Sequence, residues 1–196
     1  YFPDISRLDR ATLRFAEKDP EELGFQDFLF ETETSKKFFD NPESKIDANL
    51  VFIAGNHEDQ EKLDELSRHS KPVPVDHFGK ILYLPSGEVF EINKEKLKIK
   101  IAGLGRISGG SDNHNFTRAD IRKLMNLNGL DVLLSHEPGK DQINGRGSQE
   151  VTELINFLQP QYHFCGHEHV GKSLEEIGGT KSYILDQVGF RKSYRL

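Results

Sequence analysis

The chain has 196 residues, 35% hydrophobic and 30% charged, enough for one domain with a substantial buried core. Its net charge is −6 with no long basic run, which argues against wrapping nucleic acid by counterion release, a local basic patch aside. One cysteine, Cys165, excludes an intrachain disulfide, and no stretch approaches the roughly 18 apolar residues of a membrane span. No signal-like start is visible, so a cytoplasmic chain with no membrane association and no partner protein is expected. The first residue is Tyr1 and the sole methionine is Met125, so residues upstream of Tyr1 are expected to be missing.

In chain order, Ile5, Leu8, Thr12 and Phe15 fall on one helical face, and Asp19-Pro20-Glu21-Glu22 reads as a second helix start. Phe25, Phe28, Phe30, Phe38 and Phe39 would form that region's packing surface, before Asp40-Asn41-Pro42-Glu43-Ser44 breaks it. Leu50-Val51-Phe52-Ile53-Ala54 predicts a strand buried on both faces, followed at once by Gly55-Asn56-His57-Glu58 and a polar helix from about Asp59 to His69. Residues 80–84 and 88–92 flank Pro85-Ser86-Gly87 and predict a hairpin. Residues 98–101 alternate as a strand. The polar loop from Arg106 to Phe116 follows, then a helix capped by Thr117 with Asp120 at the capping-box position.

Asp131-Val132-Leu133-Leu134-Ser135 is another buried-type strand and ends directly on His136. Gly139 to Gly147 reads as a mobile rim with few anchors. Ser148 caps a helix carrying Val151, Leu154, Ile155 and Leu158 at i, i+3, i+4 and i+7, stopped by Pro160. Tyr162 to Cys165 forms a strand into Gly166-His167-Glu168-His169, and Ser182 to Leu185 reads as the last strand.

Three separate strands thus end on ligand-type side chains: Asn56 with His57, His136, and His167 with His169. Such a repeat predicts loops converging on one site at the C-terminal edge of a sheet. Imidazole nitrogen and amide oxygen suit borderline divalent metals, whereas a lone Cys165 on a strand is expected in the core. His69, His77, His114 and His163 have no motif around them and are expected at the surface or in the core. Arg106, on a strand-end loop, is a candidate for contacting a substrate phosphate, with an exposed surface arginine as the equal alternative. Arg146, near the rim, is likewise a candidate, and Glu168 is expected to point outward.

These motifs carry a resemblance. Gly55-Asn56-His57-Glu58, Ser135-His136 and Gly166-His167-Glu168-His169 resemble the third, fourth and fifth motifs of the calcineurin-like metallophosphoesterases, G-N-H-D/E, a lone H and G-H-x-H. The resemblance runs from about residue 49 to 187. It implies an α/β fold, a four-layer α/β/β/α sandwich of two mixed sheets flanked by helices. It also implies one metallophosphoesterase domain over residues 1–196, lacking its N-terminal part, with residues 5–44 as a helical insertion or cap. Asn56, His136 and His167 look like ligands of one metal and His169 like a ligand of a second, the pair being manganese, iron or zinc. His57 is similar to the family's catalytic histidine, which contacts substrate and stabilises the phosphoryl charge or protonates the leaving oxygen.

The implied activity is hydrolysis of a phosphomonoester or phosphodiester by in-line attack of a metal-activated hydroxide. The substrate could be a small molecule, a nucleotide, a protein or a nucleic acid. The family's first two motifs, D-x-H and G-D-x-x-D/N, do not occur before Gly55, which points to truncation of the sequence. Two other readings stay open: a degenerate binding scaffold on the same fold, and a mononuclear metal protein using Asn56, His136 and His167.

Overall fold

A computed structural model describes residues 26–40, 48–69, 71–110, 112–140, 142–143, 145–168 and 172–186, with isolated positions between 6 and 17. The helix expected over residues 5–16 and the start at 19–22 therefore lie almost wholly outside the described residues, as does His169.

The described chain builds two mixed sheets. The first contains β1 (Leu50–Phe52), β2 (Val73–Pro74) and β3 (Ile81–Tyr83) in the order β1-β3-β2, with β1 parallel and β2 antiparallel to β3. The second contains β4 (Val89–Lys94), β5 (Leu97–Leu104), β6 (Val132–Ser135), β7 (Tyr162–Cys165), β8 (Lys172–Ile177) and β9 (Thr180–Ile184), in the order β4-β5-β6-β7-β9-β8. Strands β5, β6, β7 and β9 are parallel, and the edges β4 and β8 run antiparallel.

Five helices accompany them among the described residues: α1 (Gln26–Leu29), α2 (Glu33–Phe39), α3 (Gln60–Leu66), α4 (Arg118–Met125) and α5 (Gln149–Leu158). Capping sets their starts. The Thr117 hydroxyl accepts from the Asp120 amide while the Asp120 carboxylate accepts from the Thr117 amide, and the Ser148 hydroxyl accepts from the Val151 amide. Each cap fixes where its helix begins, so the apolar stripe that follows meets the sheet in one register.

The main core lies between α4, α5 and one face of the second sheet, where Leu124, Leu133, Val151, Leu154 and Ile155 have no exposed surface. Full burial of each large aliphatic side chain contributes about 1.5–3 kcal/mol. Leu63 of α3 packs against Ala54, Val73 and Tyr83 over the first sheet. The sheets face each other closely at Gly103, where a Cβ would lie 2.9 Å from Ile53 Cγ2 and 3.2 Å from Leu84 Cγ. This helix–sheet–sheet–helix arrangement is the expected α/β fold.

Several local expectations differ from the structure. Residues 80–84 and 88–92 do not form a hairpin. β3 pairs in parallel with β1, and Pro85-Ser86-Gly87 hands the chain from one sheet to the other, with Gly87 at φ +79° donating to the Gly103 carbonyl at 2.9 Å. The true hairpin is β4–β5, turned at Glu95 with φ +52° and lacking the Asn-Gly signal that would have marked it. β1 is not buried on both faces, since Leu50 is 53% exposed and full burial begins at Ala54. β8 carries no pattern that separated it from a loop. The described part of the rim has two anchors: Gln142 Oε1 accepts from the Gly139 amide at 2.6 Å, and Ile143 packs with Cys165 and Ile184. A buried apolar residue and a buried amide supply the anchors that the loop's glycines hide.

Candidate active site at the strand ends

Parallel strands whose C-terminal ends share one level bring their following residues together. Leu104 on β5 is opposite Ser135 on β6, and Leu134 is opposite Phe164 on β7. Beyond the ladders, the His136 amide donates to the Leu104 carbonyl at 3.1 Å, and the Gly166 amide to the His136 carbonyl at 3.1 Å. The first sheet joins the same edge through the Arg106 amide, which donates to the Ala54 carbonyl at 2.6 Å. Asn56, His136 and His167 are thereby delivered to one place by three strands from two sheets.

Their donor atoms converge. His136 Nε2 lies 3.0 Å from Asn56 Oδ1 and 3.1 Å from His167 Nδ1, and the two imidazole centroids are 4.8 Å apart. Asn56 Oδ1 can only accept, and a single proton on His136 Nε2 satisfies one neighbour at a time. Three lone-pair atoms so close are all satisfied together by a cation. With metal–ligand bonds of about 2.1 Å, adjacent donors in octahedral or tetrahedral sets stand about 3.0–3.4 Å apart, which is the spacing of His136 Nε2 from each of the other two donors.

Two further features fit such a group. A Cβ on Gly55 would lie 2.6 Å from His136 Cε1, so the absent side chain is what lets the imidazole lie across this backbone. Glu58 Oε2, two residues beyond Asn56, is buried and has no hydrogen-bond partner among the described residues. The donors present therefore fit one divalent cation. Among the described residues no group of three or more His, Cys, Asp or Glu side chains is placed to hold a metal ion; the trio contains two histidines and an amide.

The other residues singled out by the sequence are placed as follows. His57 is exposed beside Asn56. Arg106 has φ +71°, and its side chain is only 12% exposed: Nε donates to Gln60 Oε1 at 3.1 Å and a terminal nitrogen pairs with Asp64 at 2.6 Å. It lines a cavity of about 330 Å³ together with Asp64, Lys71, Glu88 and Lys123. Glu168 does not point outward; its side chain is 14% exposed and pairs with Arg146 at 3.0 Å. His167 has φ +67°, a left-handed conformation uncommon for a residue with a side chain and frequent at functional sites.

Two other histidines have defined partners. His163 is fully buried, with Nε2 2.7 Å from Ser135 Oγ and Nδ1 3.0 Å from Ser182 Oγ, and burial pushes its pKa down to about 4. His114, which no motif marks, places Nδ1 2.8 Å from the Asn56 carbonyl. Gln60 was also invisible as a site neighbour, although it is 1% exposed and its Nε2 donates to the Gly55 carbonyl at 2.7 Å. Cys165 is core, and burial pushes its thiol up to about 12.

Two facing mixed sheets with a strand-end cluster of imidazole and amide donors define an α/β protein with a candidate active site at one sheet edge. The chain belongs to the calcineurin-like phosphoesterase family, whose sequence profile matches residues 15–171. Among solved structures it is similar to the crystal structure of TT1561 of Thermus thermophilus, with 18% identity and a TM-score of 0.50. That match covers 69% of this chain, which spans 62% of the length of the other. No curated protein sequence matches the chain. Among the described residues no helix is long and apolar enough to cross a membrane.

Proposed function

We propose that the protein is a metal-dependent phosphoesterase whose first metal is held by Asn56, His136 and His167. The observation that supports this most directly is the convergence of those three donor atoms, 3.0 and 3.1 Å apart, in a chain of the calcineurin-like phosphoesterase family. Divalent cations in such a site polarise a phosphoryl oxygen and generate a nucleophile near neutral pH. His169 is the proposed ligand of a second cation.

The chain's own groups take the remaining roles. His57 follows Asn56 directly and is exposed; its proposed role is to contact substrate. In the hydrolysis, a water oxygen bonds to phosphorus, releasing one proton to solvent, as the ester P–O bond breaks. His57 stabilises the phosphoryl charge or gives a proton to the leaving oxygen, which departs as an alcohol. Arg106 is paired with Asp64 at 2.6 Å, so its proposed contact with a substrate phosphate competes with that ion pair.

The test is hydrolysis of an aryl phosphate monoester beside the matching diester, with manganese added, by the full-length protein. Turnover of one ester that stops on chelation is the expected result. Failure to hydrolyse either ester overturns the reading for these substrates.

A further inference from the structure

Three successive carbonyls at the end of the first sheet each accept a hydrogen bond from a residue distant in sequence or from the following helix. Ala54 accepts from the Arg106 amide at 2.6 Å, Gly55 from Gln60 Nε2 at 2.7 Å and Asn56 from His114 Nδ1 at 2.8 Å. The first two come from a strand end and a helix. The third comes from the polar loop at 106–116, which is itself closed. The Ile107 amide donates to the His114 carbonyl and the Phe116 amide to the Ile107 carbonyl, both at 3.1 Å. Asn115, 6% exposed, donates through Nδ2 to the carbonyls of Ile107 and Ser108 at 3.2 and 3.1 Å, and the Ser108 amide donates to Glu137 at 2.6 Å. His114 is therefore presented by a braced loop whose stem reaches back to the residue after His136.

A carbonyl oxygen only accepts, so Nδ1 carries the hydrogen of this bond whether the ring is neutral or charged. The peptide joining Asn56 to His57 is planar, and fixing its carbonyl restricts the torsions on both sides. The same bond thus fixes the backbone from which the Asn56 side chain and His57 project.

We propose that His114 is a positioning residue for the site, acting through Nδ1 on the Asn56 carbonyl and not through ionisation. What the positioned groups are used for rests on the phosphoesterase reading; the positioning itself is testable without metal. The side-chain amide of asparagine can place a donor near the position of Nδ1, whereas the longer glutamine places one near Nε2. His114→Asn should therefore preserve the function that His114→Gln and His114→Ala lose.

The experiment compares these three variants with the parent protein, first metal-free, by nitrogen–proton NMR of the Asn56 side-chain amide and the His57 backbone. His114→Asn is expected to keep the parent signals, while His114→Gln and His114→Ala shift or broaden them with the thermal midpoint of unfolding little changed. Cobalt titration followed by visible absorption then reads the site. Affinity is expected to fall roughly tenfold or more in the Gln and Ala variants and to stay within about threefold in the Asn variant, the scale typical of residues that orient a ligand.

Unchanged Asn56 and His57 signals in all three variants would overturn the proposal. So would the reverse order, with Gln rescuing and Asn failing, because Nε2 would then be the working atom. If the Ala variant fails to fold, the Asn and Gln pair still decides. If the parent protein takes up no cobalt, the metal reading fails, and the metal-free spectra still decide the role of His114.

Discussion

Asn56 Oδ1 and His136 Nε2 lie 3.0 Å apart although they are separated by 80 positions, one on a loop after the first sheet and the other after a strand of the second. The two sheets thus meet chemically at one edge, and each contributes a donor that the other cannot supply. Removing His136 should therefore do more than remove one ligand. His136→Ala is expected to lower hydrolysis on the order of 100-fold and to release bound metal. His57→Ala should lower hydrolysis roughly tenfold or more with metal content retained. Metal analysis of both variants beside their rates tests the division; metal loss in His57→Ala would remove the role assigned to that residue.

Gly55 is required for space. Its hypothetical Cβ meets His136 Cε1 at 2.6 Å and Nδ1 at 2.9 Å, so Gly55→Ala must displace an imidazole. We expect a loss of about 1–3 kcal/mol in urea unfolding and a weakened metal site. Wild-type metal affinity in Gly55→Ala would show that His136 moves without consequence.

Gln60 separates two functions in one side chain. Nε2 donates to the Gly55 carbonyl at 2.7 Å, and Oε1 accepts from Arg106 at 3.1 Å. Gln60→Glu keeps an acceptor for Arg106 and, when ionised, loses the donor. Gln60→Leu loses both. Stability should fall by about 1–3 kcal/mol in the leucine variant, which leaves the buried Gly55 carbonyl unpaired. Chemical denaturation of the two variants at pH 7 checks this, and a neutral leucine substitution would contradict it.

His163 gives the fold an acid-sensitive element. Its folded pKa of about 4 lies below the ordinary 6.5 because burial disfavours the charged ring. The unfolded chain therefore binds this proton more readily. The stabilisation is present in full above about pH 6.5 and is lost as the pH falls towards 4, amounting to about 3 kcal/mol at most. Urea unfolding between pH 7 and 4.5 should show the decline, and the His163 ring signals should not titrate above pH 5. A ring that titrates near 6.5 would refute the assignment.

Much of this molecule is legible one residue at a time. Ser148 ahead of Val151, Leu154 and Ile155 states a capped amphipathic helix because capping and 3.6-residue periodicity are local properties. Apolar runs ending on Asn56, His136 and His167 likewise state strands that stop at polar residues, and the motif order carries the family. Pairing is different. Residues 81–83 and 89–94 are close in sequence yet lie in different sheets, because Gly103 lets the two sheets approach and the turn at Gly87 crosses between them.

The amino-acid sequence by itself therefore determined which strand ends bear ligand-type residues and which chemistry they suit. Only the tertiary structure decided that His136 Nε2 stands 3.0 and 3.1 Å from the other two donor atoms and that Gly55 makes room for His136. It alone brought Gln60 and His114 to the neighbouring carbonyls. The physical reason is range: a side chain's hydrogen-bonding capacity is written in its own formula, whereas its partner is selected by sheet register and loop closure across the whole chain.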